Sequence, residues 1–127
     1  DRLVVEPAPW PIYVLAKRGQ LARLLAILIE RALQTSSRTI VRMDRGTTAM
    51  LVHIDDDGPG VPRSARARLF DAPDTRKYAA QALATARTLA RSLNGEITVS
   101  SSPEGGARFT VCLPTLSESE LDFAAAS

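Results

Sequence analysis

The stretch HIDDDGPGVP, residues 53–62, places three consecutive aspartates at the end of an apolar run and directly before a Gly-Pro-Gly turn. The alternation that leads into it predicts a β-strand over residues 48–55. A carboxylate at this point can accept a hydrogen bond from an exocyclic amine, and glycines let the backbone approach a flat ring closely. The stretch therefore predicts a site for a flat, polar heterocycle, although a solvated acidic turn would explain the same residues.

On both sides of this stretch, the periodicity of apolar residues predicts helices and strands. Strands are predicted at residues 2–5, 12–16, 38–43, 48–55, 96–100 and 107–113, and helices at residues 19–37, 62–70 and 79–93. The first helix carries an apolar stripe of Leu21, Leu24, Leu25, Leu28 and Ala32, and Asn94-Gly95 predicts the end of the last helix. Because short turns join neighbouring strands, we expect an α/β two-layer sandwich: a mixed, mostly antiparallel sheet with helices packed on one face.

The composition is that of one folded domain, since 45% of the 127 residues are apolar and 24% are charged. The net charge of +2 is too small to favour nucleic acid or a membrane surface, and we expect contact with neither. The single cysteine, Cys112, excludes an internal disulfide and fits a reducing compartment. We expect residues 1–114 to form the domain and residues 115–127 a tail. Because the chain opens at Asp1 rather than Met, we also expect a longer parent protein.

Two further segments carry a family resemblance. GEITVSSSPEGGARFTVCLP, residues 95–114, resembles the closing hairpin of histidine-kinase catalytic domains, and RLFD, residues 68–71, resembles their phenylalanine box, with Phe70 in its place. The first long helix resembles the helix that carries their asparagine box. Together these segments resemble the GHKL superfamily, which comprises the gyrase, heat-shock chaperone, histidine kinase and MutL ATPases. The resemblance implies the Bergerat fold and ATP as the ligand.

The opening stretch resembles the first glycine box of that superfamily, which reads Asp-x-Gly-x-Gly. The three matching positions are Asp56, Gly58 and Gly60. The resemblance implies that Asp56 accepts a hydrogen bond from the adenine amine of ATP, and that the two glycines admit the ring.

Two other boxes depart from the family pattern. The asparagine box reads Asn-Leu-x-x-Asn-Ala in the family, where its second asparagine coordinates Mg²⁺, but the chain has ILIERA at residues 27–32. Ile27 and Arg31 therefore replace the two asparagines, and an arginine has only hydrogen-bond donors, so it cannot coordinate a cation. The second glycine box, Gly-x-Gly-Leu-Gly-Leu, becomes YAAQAL at residues 78–83. Its alanines favour a continuous helix over a phosphate cradle.

These departures imply weak or no binding of ATP and no Mg²⁺ site. Arg31, Arg76 and Lys77 are the candidate phosphate-binding residues, and no residue is assigned a catalytic role. The first hypothesis is a degenerate, pseudokinase-like domain with a regulatory or docking role. The second is a working ATP-dependent protein-histidine kinase domain in which Glu30 or Asp57 replaces the lost ligand. The third is a small binding module whose glycine turn is a coincidence.

The resemblance also implies a place in two-component phosphorelay signalling. We expect a cytoplasmic location, including that of the cytoplasmic part of a membrane-bound sensor. The expected partners are the dimerisation and phosphoacceptor helical domain of the parent protein, a partner kinase, or a response regulator. The only histidine, His53, lies in a predicted strand, so we expect a structural role for it rather than the phosphoacceptor role.

Overall fold

The computed structural model describes residues 2–6, 18–71 and 78–115. Its elements in chain order are β1 (Leu3–Val5), α1 (Arg18–Thr35), β2 (Thr39–Arg45), β3 (Ala49–Asp56), α2 (Arg63–Arg66), α3 (Tyr78–Ser92), β4 (Glu96–Ser101) and β5 (Ala107–Pro114). Five of the six predicted strands and both long helices are confirmed to within two residues at each end. The predicted strand at residues 12–16 lies outside the described residues.

The described strands form one five-stranded sheet in the order β1-β2-β3-β5-β4. β1 pairs with β2 in parallel, and the other neighbouring pairs are antiparallel, so the prediction of a mixed, mostly antiparallel sheet is confirmed. β3 is the central strand. Its acidic end is therefore flanked by β2 on one side and by β5 on the other.

One face of the sheet is covered by α1 and α3, which also pack against each other. The predicted stripe of α1 is confirmed, because Leu24, Leu28 and Ala32 are buried while its remaining two leucines pack at the edge of the core. In β3 the residues that face the helices alternate with those that face away, as strand geometry requires. Since Ile54 lies in the core, Asp56 shares its side of the sheet and Asp55 faces the opposite side.

The two described helices after β3 differ in how well the sequence predicted their ends. α3 ends as predicted: Asn94 has a positive φ of 62°, and the N–H of Gly95 donates to the carbonyl of Ala90 at 2.8 Å. The helix predicted at residues 62–70 is shorter, because α2 stops at Arg66 and a turn follows. Its first turn has neither an acidic residue nor a side-chain cap, and these are two interactions that would stabilise a longer helix.

The sheet face away from the helices carries His53 and Cys112. His53 Nδ1 lies 2.8 Å from Thr110 Oγ1, and burial, with the nearby Arg108 charge, lowers the pKa of His53 below its usual range. Cys112 is only partly buried, because its strand position faces the open side. Within the described residues, no helix has the length and apolar character needed to cross a membrane.

Candidate functional site

The three aspartates at the end of β3 bind three different parts of the molecule. Asp55 reaches arginines on the open face of the sheet, Asp56 reaches α1 and the β4–β5 hairpin, and Asp57 reaches the loop after α1. Asp55 and Asp56 are almost completely buried, with 0% and 1% of their surface exposed. A buried carboxylate needs partners that compensate for its lost hydration, so the partners show what each aspartate does.

Asp56 is anchored by backbone amides. Its Oδ1 accepts hydrogen bonds from the N–H of Gly58 at 2.9 Å and from the N–H of Ala107 at 3.0 Å. Its backbone carbonyl accepts a third bond, from the N–H of Gly106 at 3.0 Å. A Cβ on Gly106 would overlap the Asp56 carboxylate, so glycine is required where the hairpin meets the strand. The remaining oxygen, Oδ2, is the one that faces α1.

Arg31 binds the remaining oxygen, Asp56 Oδ2. Its Nη1 donates to Asp56 Oδ2 at 3.3 Å, and its Cζ lies 4.4 Å from the centroid of the Phe109 ring, in cation–π contact. Phe109 is itself held edge-to-face against Phe70, with ring centroids 5.9 Å apart. The Arg31 side chain as a whole remains 19% exposed. Arg31, which the sequence predicts to stand at the family's metal-ligand position, thus binds the carboxylate predicted to recognise adenine.

The two glycines of the predicted box shape the turn beside Asp56. Gly60 has φ of +75°, a conformation that side chains other than glycine rarely adopt. Gly58 lies against the end of α1, where an added Cβ would come within 2.7 Å of the Thr35 carbonyl oxygen. The structure therefore brings Asp56, Gly58, Gly60 and Arg31 together at one strand end. Arg76 and Lys77, the other candidate phosphate ligands, lie outside the described residues.

Glu30 and Asp57 were considered as substitute metal ligands, and their side chains are not grouped around Arg31. Glu30 is exposed on α1. Asp57 Oδ1 accepts from the backbone N–H of Ser37 at 2.9 Å and of Arg38 at 3.0 Å, and these backbone bonds lower the pKa of Asp57. Among the described residues, no group of three or more histidine, cysteine, aspartate or glutamate side chains could hold a metal ion. Arg31, at the position predicted for the Mg²⁺ ligand, offers only N–H donors, which cannot coordinate a cation.

The segment corresponding to the second glycine box is helical. α3 begins at Tyr78, so residues 78–83 form its first turns, as the alanine content predicted. A helix here lacks the flexible glycine backbone that the family pattern places next to the phosphates.

A second charged cluster lies on the open side of the same strand end, and no sequence pattern predicted it. Asp55 is bound by Arg108 Nε at 2.6 Å, by Arg108 Nη2 at 2.9 Å and by Arg42 Nη1 at 2.6 Å. Arg42 also binds Glu104 at 2.7 Å and lies 3.5 Å from Glu6. Burial raises the pKa of Asp55, but the bonds from the two arginines outweigh it, and the pKa lies below its usual range. A charge pattern with neighbours this distant in sequence becomes visible only in the folded sheet.

The chain matches one protein family over most of its length. Residues 16–117 match the model of the histidine kinase-, DNA gyrase B-, and HSP90-like ATPases. Over 101 residues the chain is 33% identical to the sensor histidine kinase GtrS of Pseudomonas aeruginosa, and it is equally similar to the sensor protein KdpD of Mycobacterium tuberculosis. These alignments cover 76% and 72% of the chain but 21% and 12% of the relatives, so the chain spans about a fifth of their length or less.

Solved structures agree on the fold. The crystal structure of full-length ShkA in complex with AMPPNP has a TM-score of 0.80 at 23% identity, covering 91% of this chain and 26% of that one. The ATP-binding domain of PrrB from Mycobacterium tuberculosis has a TM-score of 0.67 at 23% identity, covering 91% of this chain and 82% of that domain. The hypothesis of an unrelated module with a coincidental glycine turn is therefore wrong. The chain belongs to the histidine kinase-, DNA gyrase B-, and HSP90-like ATPase family, in the form that sensor histidine kinases carry as their catalytic and ATP-binding domain.

Proposed function

We propose that this chain is a degenerate histidine-kinase ATP-binding domain that binds Mg–ATP weakly or not at all. Its role is then regulatory or docking, within a larger sensor protein of a phosphorelay. The observation that carries the proposal is the ion pair between Arg31 and Asp56. It places a fixed positive charge where the family pattern has an oxygen ligand for Mg²⁺.

Electrostatics supports the loss of the metal. A divalent cation needs oxygen ligands at short distance, and a guanidinium offers only N–H donors and a like charge. The neighbouring acids that could compensate are used elsewhere or exposed, as Asp57 and Glu30 show. Phosphoryl transfer depends on a metal that neutralises the developing charge on the phosphates. Loss of that metal therefore supports a domain without kinase activity of its own.

The shape of the site supports the same conclusion for the phosphates. The family pattern provides bare glycine amides in the second glycine box, and here the corresponding residues are part of α3. The preserved sheet and helices still provide a folded surface. We propose that this surface contacts the dimerisation and phosphoacceptor helical domain of the parent protein, a partner kinase, or a response regulator.

Calorimetric titration of the chain with ATP, in the presence of Mg²⁺ and separately in EDTA, tests the proposal. We expect no metal-dependent binding at millimolar ATP and no change in Tm on adding Mg–ATP. A ligand present at 100 times its Kd stabilises a protein by about 2.7 kcal/mol, so real binding would be easily seen. Tight binding that requires Mg²⁺ would refute the proposal and favour the working kinase that uses substitute ligands.

A further inference from the structure

We infer that Arg31 acts as an internal occupant of the base-recognition site, and that this residue, rather than damage to the site, excludes adenine. The inference rests on the proposed function and deepens it, because it assigns the loss of base binding to one side chain. It also predicts that shortening this side chain opens a metal-independent site for an amino-purine.

The guanidinium uses the same two features that a purine ring would use. It is a flat group lying over an aromatic face, with Cζ 4.4 Å from the Phe109 centroid. It also donates an N–H to Asp56 Oδ2, whereas the backbone amides of Gly58 and Ala107 bind the other carboxylate oxygen, Oδ1. A flat heterocycle with an exocyclic amine would stack and donate in the same way.

The rest of the site remains in place without Arg31. Asp56 Oδ1 is fixed by the amides of Gly58 and Ala107, and the hairpin is fixed to the strand by the bond from Gly106 to the Asp56 carbonyl. None of these bonds involves the arginine. Removing the guanidinium therefore leaves a positioned acceptor beside an aromatic ring.

Competition for Oδ2 favours the arginine in the natural sequence. A hydrogen bond from a charged donor is roughly twice as strong as one from a neutral amine. The arginine is also tethered to α1, so it pays no entropy of association, whereas a free ligand does. An adenine must displace it and forfeit the cation–π contact as well. The arginine therefore competes with the base for the same carboxylate oxygen and the same ring face.

The test compares nucleoside binding by the natural chain and by the Arg31→Ala variant, using adenosine and inosine as ligands in EDTA. Inosine carries a carbonyl where adenosine carries the exocyclic amine, so it lacks the N–H that we expect to donate to Asp56, although it keeps a ring N–H at N1. We expect Arg31→Ala to gain on the order of tenfold in affinity for adenosine, the size of one hydrogen bond to a charged group, and to gain nothing for inosine. Equal adenosine affinity in both proteins would overturn the inference.

Two variants serve as controls. Arg23→Ala removes an exposed arginine of the same helix and should bind adenosine as the natural chain does. Arg31→Asn restores the residue type of the family pattern and should show the adenosine gain even if the alanine variant folds poorly. An equal gain for adenosine and inosine would show a nonspecific cavity and would also overturn the assignment.

The natural chain offers an independent measurement that needs no variant. NMR signals of the Arg31 Nη hydrogens should be resolved at low temperature, because a guanidinium bound to a carboxylate over a ring rotates slowly, and the ring should shift them upfield. Signals that coincide with those of the exposed Arg23 would show that Arg31 does not occupy the site.

Failure of this inference can be told apart from failure of the proposed function. Metal-dependent ATP binding by the natural chain refutes the proposed function, whereas an unchanged Arg31→Ala variant refutes only this inference.

Discussion

Two adjacent carboxylates at the end of β3 are buried equally but are held in different ways. On the open face, Asp55 is bound by two arginines at 2.6–2.9 Å. On the helix face, Asp56 is bound by two backbone amides and by one longer arginine bond of 3.3 Å. The open-face cluster joins β2, β3 and β5 through the bonds of Arg42 and Arg108 to one carboxylate. On the helix face the backbone amides and the arginine bind different oxygens of Asp56, so we expect Oδ1 to stay anchored when the Arg31 side chain is shortened.

The largest expected effect tests the backbone anchor on the helix face. Gly106→Ala would place a Cβ against the Asp56 carboxylate and within 2.6 Å of the backbone nitrogen of Gly58. These atoms cannot move without breaking the anchor, so we expect the free energy of unfolding to fall by about 3 kcal/mol, the upper end for overpacking. Urea denaturation measures the change.

A control substitution at a second glycine tests whether the expected loss of stability is specific to Gly106. Gly46→Ala, in the β2–β3 turn, would bring its Cβ no closer than 3.5 Å to the Ala49 carbonyl oxygen. We expect a change within about 0.5 kcal/mol for this control. If Gly106→Ala were equally mild, the backbone around Asp56 would not be a rigid anchor. The contrast between the two faces would then fail.

The next effect tests the open-face cluster. Asp55→Ala leaves Arg42 and Arg108 without their shared carboxylate, although each remains 26% exposed and Arg42 keeps Glu104. Breaking a fully buried pair costs about 3–5 kcal/mol, and the partial exposure of the arginines reduces the expected loss to about 2 kcal/mol. The same denaturation experiment measures it. A loss close to zero would mean that the cluster does not hold the strands together.

A smaller effect should appear on acidification, because protonation removes the charge of Asp55 but leaves its carboxyl group in place. The pKa of Asp55 is lower in the folded chain than its usual value, since hydrogen bonds from Arg108 and Arg42 outweigh the effect of burial. The folded state therefore binds fewer protons than the unfolded state below about pH 4, and stability falls as the pH drops through that range. Thermal unfolding between pH 5 and 2 should show a smaller slope for Asp55→Asn. Identical slopes would assign the acid sensitivity to other groups.

The sequence predicted those parts of the fold that depend on local pattern. The stripe of α1, the end of α3 at Asn94 and the closing hairpin all follow from residues close together in the chain. The position of Asp56 also followed, because a glycine box is a short motif on a strand end. What the sequence could not predict are the side-chain pairings between distant elements, since Arg31 and Arg108 reach their aspartates over 25 and 53 residues. In sequence, three aspartates in a row look chemically equivalent.

The divergent bonding of the three aspartates has a kinetic consequence. In sequence, their partners lie 13 residues away for Arg42, 20 for Ser37, 51 for Ala107 and 53 for Arg108. Contacts that close such long loops form late, because the chain loses much entropy before each contact gains energy. Substitutions at this strand end should therefore speed unfolding more than they slow folding. We therefore expect this strand end to be completed late in folding and to be among the first places to open when the native state unfolds.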